Sequence, residues 1–319
     1  MEKINVSNIN YQKEFIDFGV TTYTNKTRAV IKVQDGCNNF CSYCIIPYAK
    51  GRVRSRKLEN IIQEIESIIK IGIQEVVITG IHIASYGVDF TNENIRLINL
   101  LEEINKIKGL KRIRIGSLEP NIITDKFVER LKKVDKICNH FHLSLQSGCD
   151  ETLKRMNRKY STKDFDEVVK RLRNAFPNVA LTTDIIVGFP GETEEEFKTT
   201  YSYLDKIKFY KMHIFKYSPR KGTKAATMVN QIDGKIKEQR SHELIKLSNE
   251  NEKEFLEKQI NKEVQVLFEQ KEKEYFKGHT SDYITVKVKG KNLYNKIKSV
   301  VIKKEENLEL LGETTETVM

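Results

Sequence analysis

No stretch of the 319 residues reaches the roughly 20 consecutive apolar side chains that a membrane-crossing helix needs. The start, Met1-Glu2-Lys3-Ile4-Asn5, carries no apolar signal-peptide core, so export is not expected. Cysteine is scarce and odd in number, five in all. That count argues against a disulfide framework and for metal binding in a reducing compartment, so we expect a cytoplasmic protein. Three of the five, Cys37, Cys41 and Cys44, stand together without a fourth beside them. A structural zinc takes four protein ligands, usually as two close pairs. Three thiolates alone leave such a site incomplete.

Two bland readings of the trio stay open: a zinc knuckle that borrows a distant histidine or cysteine, and three unrelated thiols. The third reading is a four-iron cluster, in which three cysteines leave one iron open to a small molecule. Val30-Ile31-Lys32-Val33 reads as a strand running into Asp35-Gly36, which puts the cysteines at its C-terminal end. Active sites of β/α barrels lie at that end.

The length fits one large domain plus a small one. Hydrophobic residues at 39% and a mean hydropathy of -0.50 fit a soluble globular chain. A net charge of +11 and a pI near 9.2 favour an anionic partner, although charge runs also form plain solvated faces.

After the cysteines, strands and helices alternate. Leu58, Ile61, Ile62, Ile65, Ile68 and Ile69 follow helical spacing, and Glu75–Thr79 closed by Gly80 reads as a buried strand. Helices through Leu97–Ile104, Lys126–Val134 and Phe165–Leu172 alternate with strands at Arg112–Ile115, Phe141–Leu145 and Ala180–Val187. Thr193 to Glu196 forms a capping box for a helix ending near Ile207, and Met212–Phe215 is the last strand. Six strand–helix units imply a parallel sheet covered on both faces, curved into a partial (β/α)6 barrel. A long polar helix from roughly Lys235 to Lys258 follows. Val264, Val266 and Phe268, then Ile284, Val286 and Val288, alternate with turns near Gly278 and Gly290, so a small antiparallel β-barrel is expected. The expected division is 1–24 as linker, 25–255 as the α/β core and 256–319 as the small barrel.

The Cys37-Asn-Asn-Phe-Cys41-Ser-Tyr-Cys44 loop resembles that of the radical S-adenosylmethionine (SAM) superfamily. Its methylthiotransferase branch is resembled further by Gln34-Asp35-Gly36-Cys37-Asn38, by Pro47–Arg56, by Leu145-Gln146-Ser147-Gly148, by Thr183–Glu192 and by Tyr217–Thr223. The segment Gly278–Val286 resembles the TRAM domain with which this branch holds tRNA. Thr79–Gly87 and Ser117-Leu118-Glu119-Pro120 look most like the MtaB type, which adds a methylthio group to C2 of N6-threonylcarbamoyladenosine beside the anticodon.

The resemblance implies that Cys37, Cys41 and Cys44 hold a [4Fe-4S] cluster whose open iron chelates SAM, with an electron donor such as flavodoxin or ferredoxin. It further implies tRNA as partner, no membrane and a monomer. Full-length members carry a second [4Fe-4S] cluster on three N-terminal cysteines. This chain begins near the linker after that domain, and Cys138 and Cys149 lie inside the barrel pattern. A truncated form that cleaves SAM without full transfer is therefore expected. Relatives acting on isopentenyl-adenosine or a ribosomal-protein aspartate, and a non-catalytic cluster-bearing RNA-binding module, are the alternatives.

Gly80, Glu119, Gln146, Asp184 and Gly188 are the candidate cofactor-binding residues. Gly80 allows close backbone approach to SAM, or is an ordinary strand-ending turn. Gln146 and Asp184 hydrogen-bond SAM or the base if they point inward, and otherwise are polar strand ends. Glu119 could orient SAM or the base. Gly188-Phe189-Pro190-Gly191 is a tight loop near a cofactor or a plain connector. Arg52, Arg54 and Arg56, with Lys287 and Lys289 in the tail, are candidates for tRNA phosphates against the alternative of a solvated basic face. His82 reads the substrate or is a satisfied structural histidine. No catalytic acid, base or nucleophile stands out.

Overall fold

The computed structural model describes residues 26–91 and 94–315, together with 9, 12–17 and 19. The expected linker, 1–24, lies largely outside the described residues. From Arg28 onward the chain alternates as its apolar spacing predicts. The strand β1 (Arg28–Asp35) buries Ala29, Ile31 and Val33 on its outer face. Helix α1 (Ile46–Lys50) and the two-residue strand β2 (Arg54–Ser55) follow the cysteines, and β2 pairs antiparallel with the end of β1. Helix α2 (Leu58–Lys70) turns Ile61, Ile65 and Ile68 onto the sheet. Next come β3 (Glu75–Gly80), α3 (Leu97–Asn105), β4 (Arg112–Ile115), α4 (Asp125–Leu131), β5 (His140–Gln146), α5 (Asp150–Arg155) and α6 (Thr162–Ala175). The last units are β6 (Ala180–Val187), α7 (Glu194–Ile207), β7 (Lys211–Lys216) and α8 (Gly234–Glu257). Thr193 caps α7 by accepting from the Glu196 amide, in the expected box.

Strands β1, β3 and β4 pair in parallel, as do β5, β6 and β7. Parallel bridges from Ile113 to Ile137 and from Leu118 to Leu143 join the two groups. Six parallel strands therefore curve in sequence order β1-β3-β4-β5-β6-β7, with the helices outside. This is the partial barrel that the periodicity implied.

Strands β8 (Glu263–Glu272), β9 (Tyr275–Thr280), β10 (Thr285–Lys289), β11 (Ile297–Glu306) and β12 (Glu309–Thr314) close a second, small barrel in the order β10-β12-β11-β8-β9. Val266, Phe268, Val286, Val288, Val300 and Ile302 fill it. One expectation is corrected here. Gly278 does not mark a turn but lies inside β9, where an added Cβ would come 2.2 Å from the Leu267 carbonyl oxygen. The glycine is there for crowding between strands, not for a bend.

The small barrel seals the N-terminal end of the large one. Glu75, 1% exposed at the start of β3, holds Arg114 at 2.8 Å and Arg112 at 3.5 Å. Those guanidiniums donate to the carbonyls of His279, Thr280, Ser281 and Gln265. Tyr283 sits under Arg28 and Arg114, with ring centroid distances of 5.1 and 4.6 Å, and stacks on His279. The opposite, C-terminal end stays open.

Candidate active site

The cysteine loop lies at that open end, directly after β1. Gly36 makes the turn at φ +69°, and an added Cβ would lie 1.8 Å from the Arg52 carbonyl oxygen, so only glycine fits. Gln34, fully buried, braces the turn by donating to the carbonyls of Asp35 and Gly36, both at 2.7 Å. Its side-chain oxygen accepts from the His82 amide at 2.7 Å. The loop's far side is clamped to the end of α5. The Ser42 amide donates to the Met156 carbonyl at 3.0 Å, its hydroxyl to the Arg155 carbonyl at 2.7 Å, and Asn157 to the Phe40 carbonyl at 2.7 Å.

The Cys37 amide donates to the Gly51 carbonyl at 3.0 Å, and its sulfur accepts from the Asn39 amide at 3.3 Å. Burial pushes the Cys37 thiol up to about 11 and raises that of Cys44. A coordinated cation would reverse that cost. Among the described residues, only His142, Asp184 and His213 bring three potential ligand atoms within 4.8 Å of one another. At least one pair of the three sulfurs therefore lies more than 4.8 Å apart, beyond the ~3.8 Å that bonds of ~2.3 Å to a single tetrahedral ion would set. A four-iron cube, with each thiolate on its own iron, asks for the wider spacing. The residues fit the cluster.

Arg158 was not among the residues singled out from the sequence. Its guanidinium donates to both Glu119 oxygens at 2.7 Å and to the Cys41 sulfur at 3.3 Å. Burial works against its charge, but Tyr160, Tyr43, Glu119 and Cys41 around it raise its pKa overall. A polar cavity of about 240 Å³ opens beside Cys41, walled by Glu119, Arg158, Asn39 and Lys159.

The other sequence candidates divide. Gly80 ends β3 against Gln34, where a Cβ would meet the Gln34 carbonyl oxygen at 2.9 Å. Gln146 ends β5 at φ +74° and is buried. Gly188 directly follows β6 at φ +68°, and its amide donates to Glu192 at 2.8 Å. Glu192 in turn accepts from the buried Arg240 at 2.7 Å, and burial raises its pKa. Asp184 lies deeper in the lumen, 3.2 Å from His142. His82 is held by Asn39 at 3.1 Å and by Ser85, and burial lowers its pKa.

Of the three arginines after the loop, Arg52 alone is exposed, with its guanidinium 4.8 Å from the Phe40 ring centroid. Arg54 and Arg56 are 3% and 5% exposed, which corrects the expectation that they face either RNA or solvent. Arg54 donates to the Lys50 carbonyl and lies 3.7 Å from Asp35, while Arg56 is paired with Asp17 and Glu64. Their charges are spent on fixing the loop's return path. Lys287 is paired with Glu309 and Glu272, and exposed Lys289 with Glu274. Cys138 and Cys149 are buried, and the charges of Arg114 and Glu75 at the sealed end act on Cys138.

A family model described as "Radical SAM superfamily" matches residues 31–204. The chain is 42% identical over 306 residues to the threonylcarbamoyladenosine tRNA methylthiotransferase MtaB of Bacillus subtilis (strain 168), covering 94% of this chain and 67% of that one. It is 40% identical over 295 residues to the tRNA-2-methylthio-N(6)-dimethylallyladenosine synthase of Lachnoclostridium phytofermentans, covering 91% and 64%. The chain thus spans about two thirds of the length of these relatives. Among solved structures, the radical SAM methyltransferase TsrM from Kitasatospora setae, with cobalamin and a [4Fe-4S] cluster bound, superposes with a TM-score of 0.53. The identity there is 19%, over 62% of this chain and 36% of that one. Methylornithine synthase superposes with a TM-score of 0.52 at 14% identity, over 70% and 62%. These last two likenesses concern the fold.

Proposed function

The chain belongs to the radical SAM superfamily and, within it, to the tRNA methylthiotransferases, and from that premise we propose that it serves methylthiolation of tRNA at C2 of N6-threonylcarbamoyladenosine beside the anticodon. The observation that carries the reading is the cysteine loop at the open end of a six-strand parallel barrel whose other end is sealed by a small β-barrel. The family's cofactors are a [4Fe-4S] cluster and SAM, and when bound they supply one-electron cleavage of the SAM sulfonium bond, giving a carbon radical that takes hydrogen from the substrate.

The chain's own residues hold, orient and shield. Cys37, Cys41 and Cys44 would bind the cluster as thiolates. Arg158 offers a fixed positive charge beside Cys41, and Glu119 fixes Arg158 in turn. Gly80 and Gly188 keep side chains off the rim. The small barrel supports tRNA binding through its resemblance to the TRAM domain, with Arg52 an exposed cation beside the loop. We place the protein in the cytoplasm, with a flavodoxin or ferredoxin as electron donor.

The test has two stages. The reconstituted chain, given SAM and dithionite, should release 5′-deoxyadenosine. Then the complete protein containing this chain is expressed in a strain lacking its own methylthiotransferases, and tRNA nucleosides are read by mass spectrometry. 2-Methylthio-N6-threonylcarbamoyladenosine is expected. The methylthio form of isopentenyl-adenosine appearing instead would move the substrate to that of the second relative.

A further inference from the structure

Three polar side chains in the lumen take no part in holding the cysteine loop. His142 on β5, Asp184 on β6 and His213 on β7 stand on neighbouring strands, with donor and acceptor atoms within 4.8 Å of one another. His142 Nε2 lies 3.2 Å from Asp184 Oδ2. Behind it, His142 Nδ1 meets Thr182 Oγ1 at 3.0 Å. The His142 and His213 rings lie 5.7 Å apart, tilted by 34°. Pairing of His142 with Thr182 and of Asp184 with His213 in the sheet register fixes the set on rigid backbone.

Its depth says what it could meet. Alternation places Thr182, Asp184 and Ile186 on one face of β6. Ile186 packs into the cluster of Met156, Phe189 and Tyr217, which also receives Tyr43 of the cysteine loop. The triad therefore lies one pleat pair, ~7 Å, further into the lumen than that layer. A group entering from the open end meets the triad only after passing the layer that Tyr43 of the cysteine loop joins.

Adenine shows an N–H donor at N6 beside a ring-nitrogen acceptor, a pair that one Asn or Gln side chain reads with two hydrogen bonds. Here the complementary acceptor and donor are divided between two residues. Asp184 keeps 30% of its side chain exposed to the lumen. Burial lowers the pKa of His213, so its ring is neutral near pH 7 and keeps one N–H to donate. Two histidines and a carboxylate also suit a divalent cation. The base is favoured because His142 is already turned onto Asp184 and because the charge of Lys211, on the same face of β7, acts on His213 and would oppose a cation there.

We propose that Asp184 and His213 read the edge of the adenosine turned into the lumen, Asp184 accepting from N6–H and His213 donating to the adjacent ring nitrogen, with His142 as the positioning residue that holds Asp184. This rests on the tRNA function proposed above. The test is binding of the reconstituted chain to two anticodon stem-loop RNAs, one with adenosine and one with purine riboside, which lacks the N6 amine, at the target position. The unsubstituted chain should prefer adenosine by about tenfold, the loss expected for one such pair. Asp184→Ala should bring the preference close to one while leaving affinity for the purine-riboside RNA unchanged. His213→Leu removes a bond to a ring nitrogen that both RNAs carry, so it should weaken both several-fold, and His213→Gln, which keeps an N–H, should restore part of that affinity; an RNA with 7-deazaadenosine there, which lacks the acceptor of that pair, should be indifferent to His213→Leu. A merely structural role of Asp184 would make Asp184→Ala weaken both RNAs alike, and a merely structural role of His213 would make His213→Leu weaken the 7-deaza RNA as well; either result overturns the proposal. So does a preference that survives Asp184→Ala, or about one equivalent of added manganese held by the chain and lost in His213→Leu. Equal binding of both RNAs by the unsubstituted chain sinks this inference alone, whereas binding of neither, nor of the same stem-loop carrying N6-threonylcarbamoyladenosine, sinks the tRNA function with it.

Discussion

Arg158 grips both carboxylate oxygens of Glu119 at 2.7 Å while its other nitrogen reaches the Cys41 sulfur at 3.3 Å. The pair joins the segment after α5 to the loop after β4, across the mouth of the barrel. With side chains 5% and 13% exposed, neither partner can turn to water if the other is lost. Removing one member of such a buried pair costs on the order of 3–5 kcal/mol.

From this we expect Glu119→Gln to lose iron during anaerobic gel filtration faster than the unsubstituted chain, which should hold about four irons, one cluster's worth. Arg158→Gln should be more severe, because it also removes the donor beside Cys41. Cys138→Ala should keep the full iron content, since that thiol is buried elsewhere. Colorimetric iron and sulfide analysis reads all three. Full cluster retention in Arg158→Gln would remove the role given to this residue.

Gly36→Ala should be as damaging as loss of a cysteine. The new methyl would sit 1.8 Å from the Arg52 carbonyl oxygen in a left-handed backbone position. Either the loop or the return through Gly51–Arg54 must move. We expect a folded chain by far-UV circular dichroism, with the cluster lost. An unchanged visible absorption spectrum after reconstitution would show that the turn has slack enough to absorb the methyl.

How much of this was legible beforehand depends on the range of the interactions. The six-unit alternation is a local pattern and the strands and helices follow it, because periodicity is set by neighbours in sequence; Cys37, Cys41 and Cys44 stand out for the same reason, their close spacing. Arg158 stands 117 residues from Cys41. His142, Asp184 and His213 meet only because parallel pairing brings three strands into register. No local signal announces either. Arg54 and Arg56 misled for the opposite reason: a run of basic residues has the composition of a surface, yet Asp35, Asp17 and Glu64 fold over it. Gly278 read as a turn because glycine usually breaks strands, whereas here crowding against Leu267 demands it.

His140 gives the stability a predictable pH dependence. It is 7% exposed, and burial lowers its pKa from 6.5 to about 3, with the charge of Arg114 adding to the effect. Between those values the unfolded chain binds a proton that the folded chain refuses, so stability falls as pH drops through the window. The loss from this residue between pH 7 and pH 4 should be on the order of 2–3 kcal/mol. Urea melts of the cluster-free chain at pH 7 and pH 5 check it: His140→Phe should show a smaller drop over this interval. An identical pH slope in both proteins would mean that His140 accepts its proton without unfolding.

The last expectation concerns RNA, and the buried docking of the small barrel decides how it must be tested. Deleting β8–β12 would uncover Glu75, Arg112 and Arg114, whose hydrogen bonds reach into the deleted segment, so lost binding could simply report misfolding. Point changes at exposed cations avoid this. Arg52 is exposed over Phe40 beside the cysteine loop, and its side chain makes no ion pair among the described residues. Arg52→Ala should therefore weaken tRNA binding several-fold, alike for all tRNA sequences, and reduce the slope of log affinity against log salt by about one. Lys289→Ala should do less, because Glu274 already lies 3.1 Å from its amine and offsets its charge. Filter binding of total tRNA between low and physiological salt measures both. A salt slope untouched by Arg52→Ala would show that the phosphates pass elsewhere, and would leave the face beside the cysteine loop free of the RNA backbone.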